Sequence, residues 1–454
     1  MIAGFDYGTS NCALGVYHNG EAQRIRLEQQ SPYLPSLVYA ECREAIVEYV
    51  ASRIPQSTAK HDFLAQRAPQ LRAAASFRQQ QGIAPSEALV SFGSAAMAEY
   101  QLAPDEGFFA KSPKSFLGAS GLNPSHLAFF EDIVTAMMME VNKKTAQQTE
   151  QAISHVVIGR PVNFASLNTR EGNRQAIEIL TRAAQRCGYQ HIEFLYEPLA
   201  AGLAFEQSLT KDQLVLVLDI GGGTSDCSMM HMGPSFKHKA ERGDDFLAHC
   251  GIRTGGNDLD IALAAKAFMP LMGMQSHTKD GLPLPATLFW NAVRINDVNA
   301  QAQFYSPENL RNARSMAAQV TEPHLFQRYL HMLEHKKNFS VIKTSEQSKI
   351  ALSSDITCVA DLGNIEDGLE LTLPRALLSD AIAQPLQQIE QLVSQAIAQA
   401  NAKPDIVFIT GGSGQSPIIR DAMQHLLGDI KMVDGDHFGS VVSGLTQWAG
   451  TIFR

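Results

Sequence analysis

Long apolar runs, paired cysteines and an excess of basic charge are all missing from this sequence. The most apolar short run, Leu214 to Leu218, stops at Asp219, far short of the ~20 residues needed to span a bilayer. No membrane partner is therefore expected. The first residues, Met1 to Asp6, bring no basic stretch and no apolar run of signal length, so export is not expected and a cytoplasmic location is. The six cysteines, Cys12, Cys42, Cys187, Cys227, Cys250 and Cys358, include no C-x-x-C pair, which excludes a zinc ribbon or dithiol motif and fits a reducing compartment. Lys and Arg number 37 against 46 Asp and Glu, a formal net charge of −9, so nothing attracts nucleic acid in general. The P-loop pattern G-x-x-x-x-G-K-[ST] is lacking from both glycine-rich turns discussed below.

What is present is an ordinary folding composition, with 45% hydrophobic and 18% charged residues, which argues against long disorder. A length of 454 residues exceeds what one compact core holds and predicts at least two lobes. Apolar residues flank a Gly-Thr-Ser-Asn turn in residues 1–17 and the turn Asp219-Ile-Gly-Gly-Gly-Thr-Ser-Asp226 in residues 214–230, which predicts two similar β-hairpins. Residues 44–103 are rich in Ala, Gln and Arg and read as a mostly helical excursion, broken near Pro55 and Gly82. Helical periodicity recurs at 123–150, 169–187, 199 onward, 382–397, 418–427 and 440–448, with short strands at 155–159, 192–195 and 406–410, an α/β alternation. Residues 270–310, with Pro270, Gly273, Gly281, Pro283 and Pro285, read as an irregular insertion.

The two turns carry the chemistry. Amides can wrap a phosphate only where side chains are absent, and Gly221-Gly222-Gly223 meets that need. Thr224 adds a hydroxyl, and Asp219 and Asp226 bracket the turn with carboxylates suited to Mg²⁺ or its waters. Asp6, Gly8, Thr9 and Ser10 repeat the recipe in the first hairpin. Either stretch alone is also what a tight hairpin requires. Two copies are what a duplicated architecture would use to clasp one triphosphate from both sides.

Phe5-Asp-Tyr-Gly-Thr-Ser-Asn11 and Leu218-Asp-Ile-Gly-Gly-Gly-Thr-Ser-Asp226 resemble the two phosphate motifs of the heat shock protein 70 family, the DnaK-type chaperones. Lys114-Ser-Phe-Leu-Gly118, Tyr196-Glu-Pro-Leu-Ala-Ala-Gly-Leu-Ala204, Thr254-Gly-Gly-Asn-Asp-Leu-Asp260 and Thr410-Gly-Gly-Ser-Gly-Gln-Ser-Pro417 resemble further motifs in that family's order. The resemblance implies an α/β chain with the actin-like ATPase fold, a duplicated ribonuclease-H-like unit whose two lobes enclose a nucleotide cleft. It places a first lobe at 1–206 with a helical insertion at about 44–104, a second at 207–437 with an insertion at about 260–345, and a last helix at about 438–454 packed back on the first.

The same resemblance implies ATP or ADP and Mg²⁺ as cofactors. Asp6 and Asp219 would hold the hydrated metal, and Gly8, Thr9, Ser10 and the turn Gly221, Gly222, Gly223, Thr224 the phosphates. Lys114 would meet the γ-phosphate and attacking water, Glu197 would join that network, and Gly411, Gly412 and Ser413 would line the nucleoside. Glu346, Lys349 and Ser353 would contact sugar and base. The implied activity is slow hydrolysis to ADP and phosphate coupled to lobe opening and closing, read by a protein client or co-chaperone through the inserted segments. Such chemistry needs little from the protein beyond positioning and charge neutralisation, which these residue types supply.

Departures from the pattern bear on function. Ile350 and Gln415 stand where family members carry arginines that sandwich the base, and no counterpart of the family's peptide-gripping domain is read after Arg454. Three rivals follow: a nucleotide-dependent binding module with little or no hydrolysis, a small-molecule kinase of the same fold, and an actin-like filament. A kinase needs an acceptor site and base, and the Glu-Pro and Gly-Gly-Asn-Asp motifs speak against it. His331 and His335 lie four apart, but Met-Leu-Glu between them is not a zinc pattern, so a solvated helix face is expected. Met137 to Met139 are expected in the core.

Overall fold

The computed structural model describes residues 1–453 except 105, 165–168, 238, 240–241 and 436–438. The lobe boundary expected at 437–438 and Arg454 lie outside the described residues. Two sheets of one topology organise the chain. In the first, strands run in the order Glu21–Arg24, Asn11–His18, Ile2–Tyr7, His155–Arg160, His191–Tyr196. In the second the order is Phe246–Ile252, Ser225–Met232, Gln213–Ile220, Ile406–Thr410, Lys431–Asp434. In both, the first three strands pair antiparallel and the last two are added parallel. This repeat is the duplicated, two-lobed actin-like ATPase fold.

The central strand of the second sheet shows why the sequence folds so. Leu214 to Ile220 are all buried, and alternate side chains enter different cores: Leu214, Leu216, Leu218 and Ile220 one, Val215 and Val217 another. A strand covered on both faces reads as a continuous apolar run. The core that takes Val215 and Val217 also takes Val157 of the first sheet, Leu199 to Ala201, and Val441, Leu445 and Ala449. It is therefore the seam between the sheets, filled by the helices Glu197–Glu206 and Ser440–Ile452. These helices approach so closely that a Cβ on Gly444 would lie 1.7 Å from the Ala200 carbonyl oxygen.

One expectation needs correction. Residues 270–310 are largely helical, with Ala286–Val293, Val298–Phe304 and Pro307–Ala317. Pro285 directly precedes the first helix and Pro307 opens the third, positions where proline starts helices, and the Asp297 carboxylate caps the second by accepting from the Asn299 and Ala300 amides. The segment 44–104 contains the expected helices Arg43–Arg53, Thr58–Gln66, Ala68–Gln81 and Gly93–Leu102, but also the strand Val90–Phe92. That strand and Phe108–Lys111 flank Leu37–Ala40 in a three-stranded sheet, whose strands are too short and too far apart in sequence to show periodicity.

Candidate functional site

Each hairpin ends its central strand on an aspartate. Asp6 lies one residue before the end of Ile2–Tyr7, and Asp219 one before the end of Gln213–Ile220. The two turns meet tip to tip. A Cβ on Gly222 would come within 2.0 Å of the Ser10 Oγ, and one on Gly223 within 2.8 Å of the Thr9 Cγ2. Glycine is thus required here by the closeness of the other hairpin. The Gly256 amide donates to the Gly221 carbonyl at 2.9 Å and the Asn257 amide to the Gly222 carbonyl at 2.7 Å. Because a trans peptide sets its C=O and N–H on opposite sides, the N–H groups of Gly222 and Gly223 point away from that helix, a geometry suited to an anion. Gly411, at φ 81°, closes a third side: a Cβ there would reach 2.7 Å from an Asp219 carboxylate oxygen.

Lys114 arrives by a separate route. The strand Phe108–Lys111 runs into Ser112, whose φ of 57° turns the chain into the short helical turn Pro113–Phe116. The Lys114 ammonium is buried and ion-paired with Glu197, the first residue of the helix Glu197–Glu206. Burial alone would lower the lysine, but the charges of Glu197 and Asp6 outweigh it and hold it above its usual value. It stays charged.

The carboxylates are under-compensated. Burial, then the charge of Glu197, pushes Asp6 up to about 8, and the same two causes in the same order push Asp226 up to about 7. Asp219 is raised well above the usual carboxylate range for the same reasons, with Asp226 adding to the effect. One lysine against four acidic groups leaves negative charge that a dication would relieve. Among the described residues no three His, Cys, Asp or Glu side chains form a ready-made chelate. Mg²⁺ keeps waters and takes one or two carboxylates plus phosphate oxygens, so it would need no such chelate.

A cavity of about 420 Å³ lies between these elements. Asp6, Gly8, Thr9, Ser10, Glu197, Asp219, Gly221, Gly222 and Thr224 line it, as do Glu346, Lys349, Ser353, Gly411, Gly412 and Ser413, with Ile350 and Gln415 beside them. Lys114, Gly223 and Asp226 stand behind its wall. An Asp226 carboxylate oxygen accepts from the Val162 amide at 2.7 Å. Glu346 and Lys349 are engaged within the protein: Lys111 pairs with Glu346 at 2.9 Å and Lys349 with Asp260 at 2.7 Å. Burial would raise Glu346, but Lys111 and Lys349 together bring it below its usual range.

Sequence reasoning missed several of these residues. Asn257 and Asp260 lay inside a quoted motif without a role, whereas Lys111 and the cavity-lining Tyr33 had no local signal. The His331 and His335 ring centroids are 4.6 Å apart, and the Lys337 ammonium is 2.8 Å from the His331 Nε2. Met137, Met138 and Met139 are buried. Among the described residues no helix is long and apolar enough to cross a membrane.

The raised carboxylates give a pH signature. In the range between the unfolded value of 3.8 and the folded values of about 7 and 8, Asp6 and Asp226 hold more protons folded than unfolded. Their contribution is fully present below the unfolded value and is lost as pH rises through the folded values. The protein is thus expected to lose thermal stability between pH 6 and 8. A thermal-shift series at fixed ionic strength checks this, and a Tm that does not fall over that interval contradicts it.

Residues 123–271 match the family described as Hsp70 protein. Chaperone protein dnaK3 of Thermosynechococcus vestitus is 24% identical over 445 residues, covering 94% of this chain and 52% of that protein. Heat shock 70-related protein 1, mitochondrial, of Leishmania major is 35% identical over 133 residues, 29% of this chain and 19% of that protein. The chain spans about half the length of the first of these relatives. The duplicated fold, the family match over residues 123–271 and the similarity along nearly the whole chain make this chain similar to the Hsp70 proteins.

Proposed function

We propose that the chain binds MgATP in the cleft and hydrolyses it slowly to ADP and phosphate, with nucleotide state setting how far the lobes close. The observation that carries this reading is the tip-to-tip meeting of the two glycine turns at a cavity lined by Asp6, Asp219 and Glu197, with Lys114 paired to Glu197. Thr9, Ser10 and the turn Gly221 to Thr224, through the Gly222 and Gly223 amides, hold the phosphates, and Lys114 neutralises charge developing on the transferred group. Mg²⁺, held through Asp6, Asp219 and waters, supplies further neutralisation of the phosphates; Asp226 acts from behind the wall. Glu197 orients Lys114. Gly411, Gly412 and Ser413, with Glu346, Lys349 and Ser353, take the nucleoside.

The lobes in this reading are 1–206 with the last helix, and 207–437 with its insertion at 260–345. A chaperone role, with a client or co-chaperone meeting the inserted segments, follows from the relatives and belongs to the same proposal. Single-turnover mixing of the protein with MgATP, following bound nucleotide and free phosphate together, tests it. Phosphate release from bound ATP is the expected result, and absence of nucleotide binding would sink it.

One observation favours a second reading, a binding module that holds ATP with little cleavage. Ile350 is 60% exposed beside the cavity and Gln415 carries no charge, so neither provides the cation–π contact that an arginine would offer a base. Tight binding without phosphate release would select this reading.

A further inference from the structure

Beside the cleft, the two lobes share one hydrophobic core. Leu37, Tyr39, Ala96, Met97 and Tyr100 belong to the same continuous cluster of buried side chains as Phe268, Phe339 and Ile342. Three aromatic rings form the crossing. Tyr100 stacks on Phe109 at 4.3 Å, and Phe339 meets both edge-on, at 5.1 Å from Phe109 and 5.8 Å from Tyr100. The Tyr100 hydroxyl also donates to the Lys336 carbonyl across the same boundary. Tyr100 is 2% and Phe339 8% exposed, so parting the lobes here would bring buried rings into water.

The strand Phe108–Lys111 ties this crossing to the site. Alternate residues of a strand face opposite ways. Phe108 meets Phe129, and Ala110 lies in the first lobe's own core. Phe109 and Lys111 face the second lobe, to Phe339 and to Glu346. Phe339 and Glu346 share the helix Asn338–Ser354, whose Lys349 and Ser353 line the cavity. Beyond Lys111 the chain turns at Ser112, which accepts from the Asn257 side chain at 3.2 Å, and reaches Lys114 two residues later.

We infer that Tyr100, Phe109 and Phe339 form an aromatic latch that must part before the lobes separate, and that the strand Phe108–Lys111 transmits its state to Lys114. Its consequence for nucleotide exchange rests on the nucleotide reading above; the latch itself does not. Aromatic pairs add to simple area burial, so loss of one ring raises the population of the parted state about tenfold or more.

Hydrogen exchange on the full chain without nucleotide tests the latch. In Phe339→Ala, exchange is expected to rise about tenfold in the facing helix Gly93–Leu102 as well as in Asn338–Ser354, because parting frees both sides. A rise confined to Asn338–Ser354 would overturn the proposal. Tyr100→Phe keeps the ring and removes the hydroxyl's bonds to Lys336 and to Phe339 and Ser340, so a rise of about threefold on both sides is expected, and no rise in Asn338–Ser354 counts against the latch. Release of a fluorescent ADP analogue is expected to speed up in the same order, wild type, Tyr100→Phe, Phe339→Ala. If the wild type takes up no analogue, the nucleotide reading falls and hydrogen exchange alone decides the latch.

Discussion

Lys114→Met is expected to slow phosphate release from bound MgATP by about two to three orders of magnitude, the usual effect of removing one preorganised group that meets developing charge. MgATP affinity is expected to change only a few-fold, because the turn amides and Asp6 and Asp219 remain. The substitution also breaks a buried ion pair with Glu197, and an unpaired buried carboxylate costs about 3–5 kcal/mol. A loss of activity through unfolding must therefore be separated from a loss of chemistry. The double variant Lys114→Met/Glu197→Gln removes both charges and is expected to regain most of that stability while remaining inactive. Single-turnover phosphate release and thermal melts on the wild type, the single and the double variant make the comparison. If the stable double variant hydrolyses within threefold of the wild-type rate, Lys114 serves only to neutralise Glu197.

The parts of this site that were legible in the sequence share one property: their geometry is set by neighbours in the chain. The two hairpins could be read because Asp, Gly and Thr at fixed spacing between apolar strands dictate a turn whatever else is present. Gly222 and Gly223 could be read as phosphate-wrapping glycines, but the structure adds a second reason for them, contact with Ser10 and Thr9. Residues 270–310 read as irregular because proline and glycine break helices, whereas Pro285 directly precedes one helix and Pro307 opens another. Lys111 with Glu346 and Tyr100 with Lys336 are more than two hundred positions apart, and no periodicity links such residues. Lys114 was reached only through resemblance; what the structure supplies is its burial, its partner and the turn at Ser112 that aims it.

Gly222→Ala is expected to weaken MgATP binding about a hundredfold or more while leaving the nucleotide-free fold nearly as stable as wild type. The added methyl would sit 2.0 Å from the Ser10 Oγ and 3.0 Å from its Cβ, so the Ser10 hydroxyl must turn aside or the two turns move apart, and either way the clasp built from both hairpins is altered. Small displacements of groups that position a ligand are costly in this way. Ser10→Gly removes the obstructing atoms, leaving the Ser10 backbone nitrogen at 3.2 Å as the nearest remaining Ser10 contact of that Cβ. The combination Gly222→Ala/Ser10→Gly is therefore expected to bind MgATP better than Gly222→Ala alone, although Ser10→Gly by itself forfeits a hydroxyl that lines the cavity. Such a gain is a coupling between residues in contact, and calorimetric titration of the four proteins measures it. Additive losses would mean that the hairpins do not act as one clasp, and the case for a shared triphosphate site would fall with it.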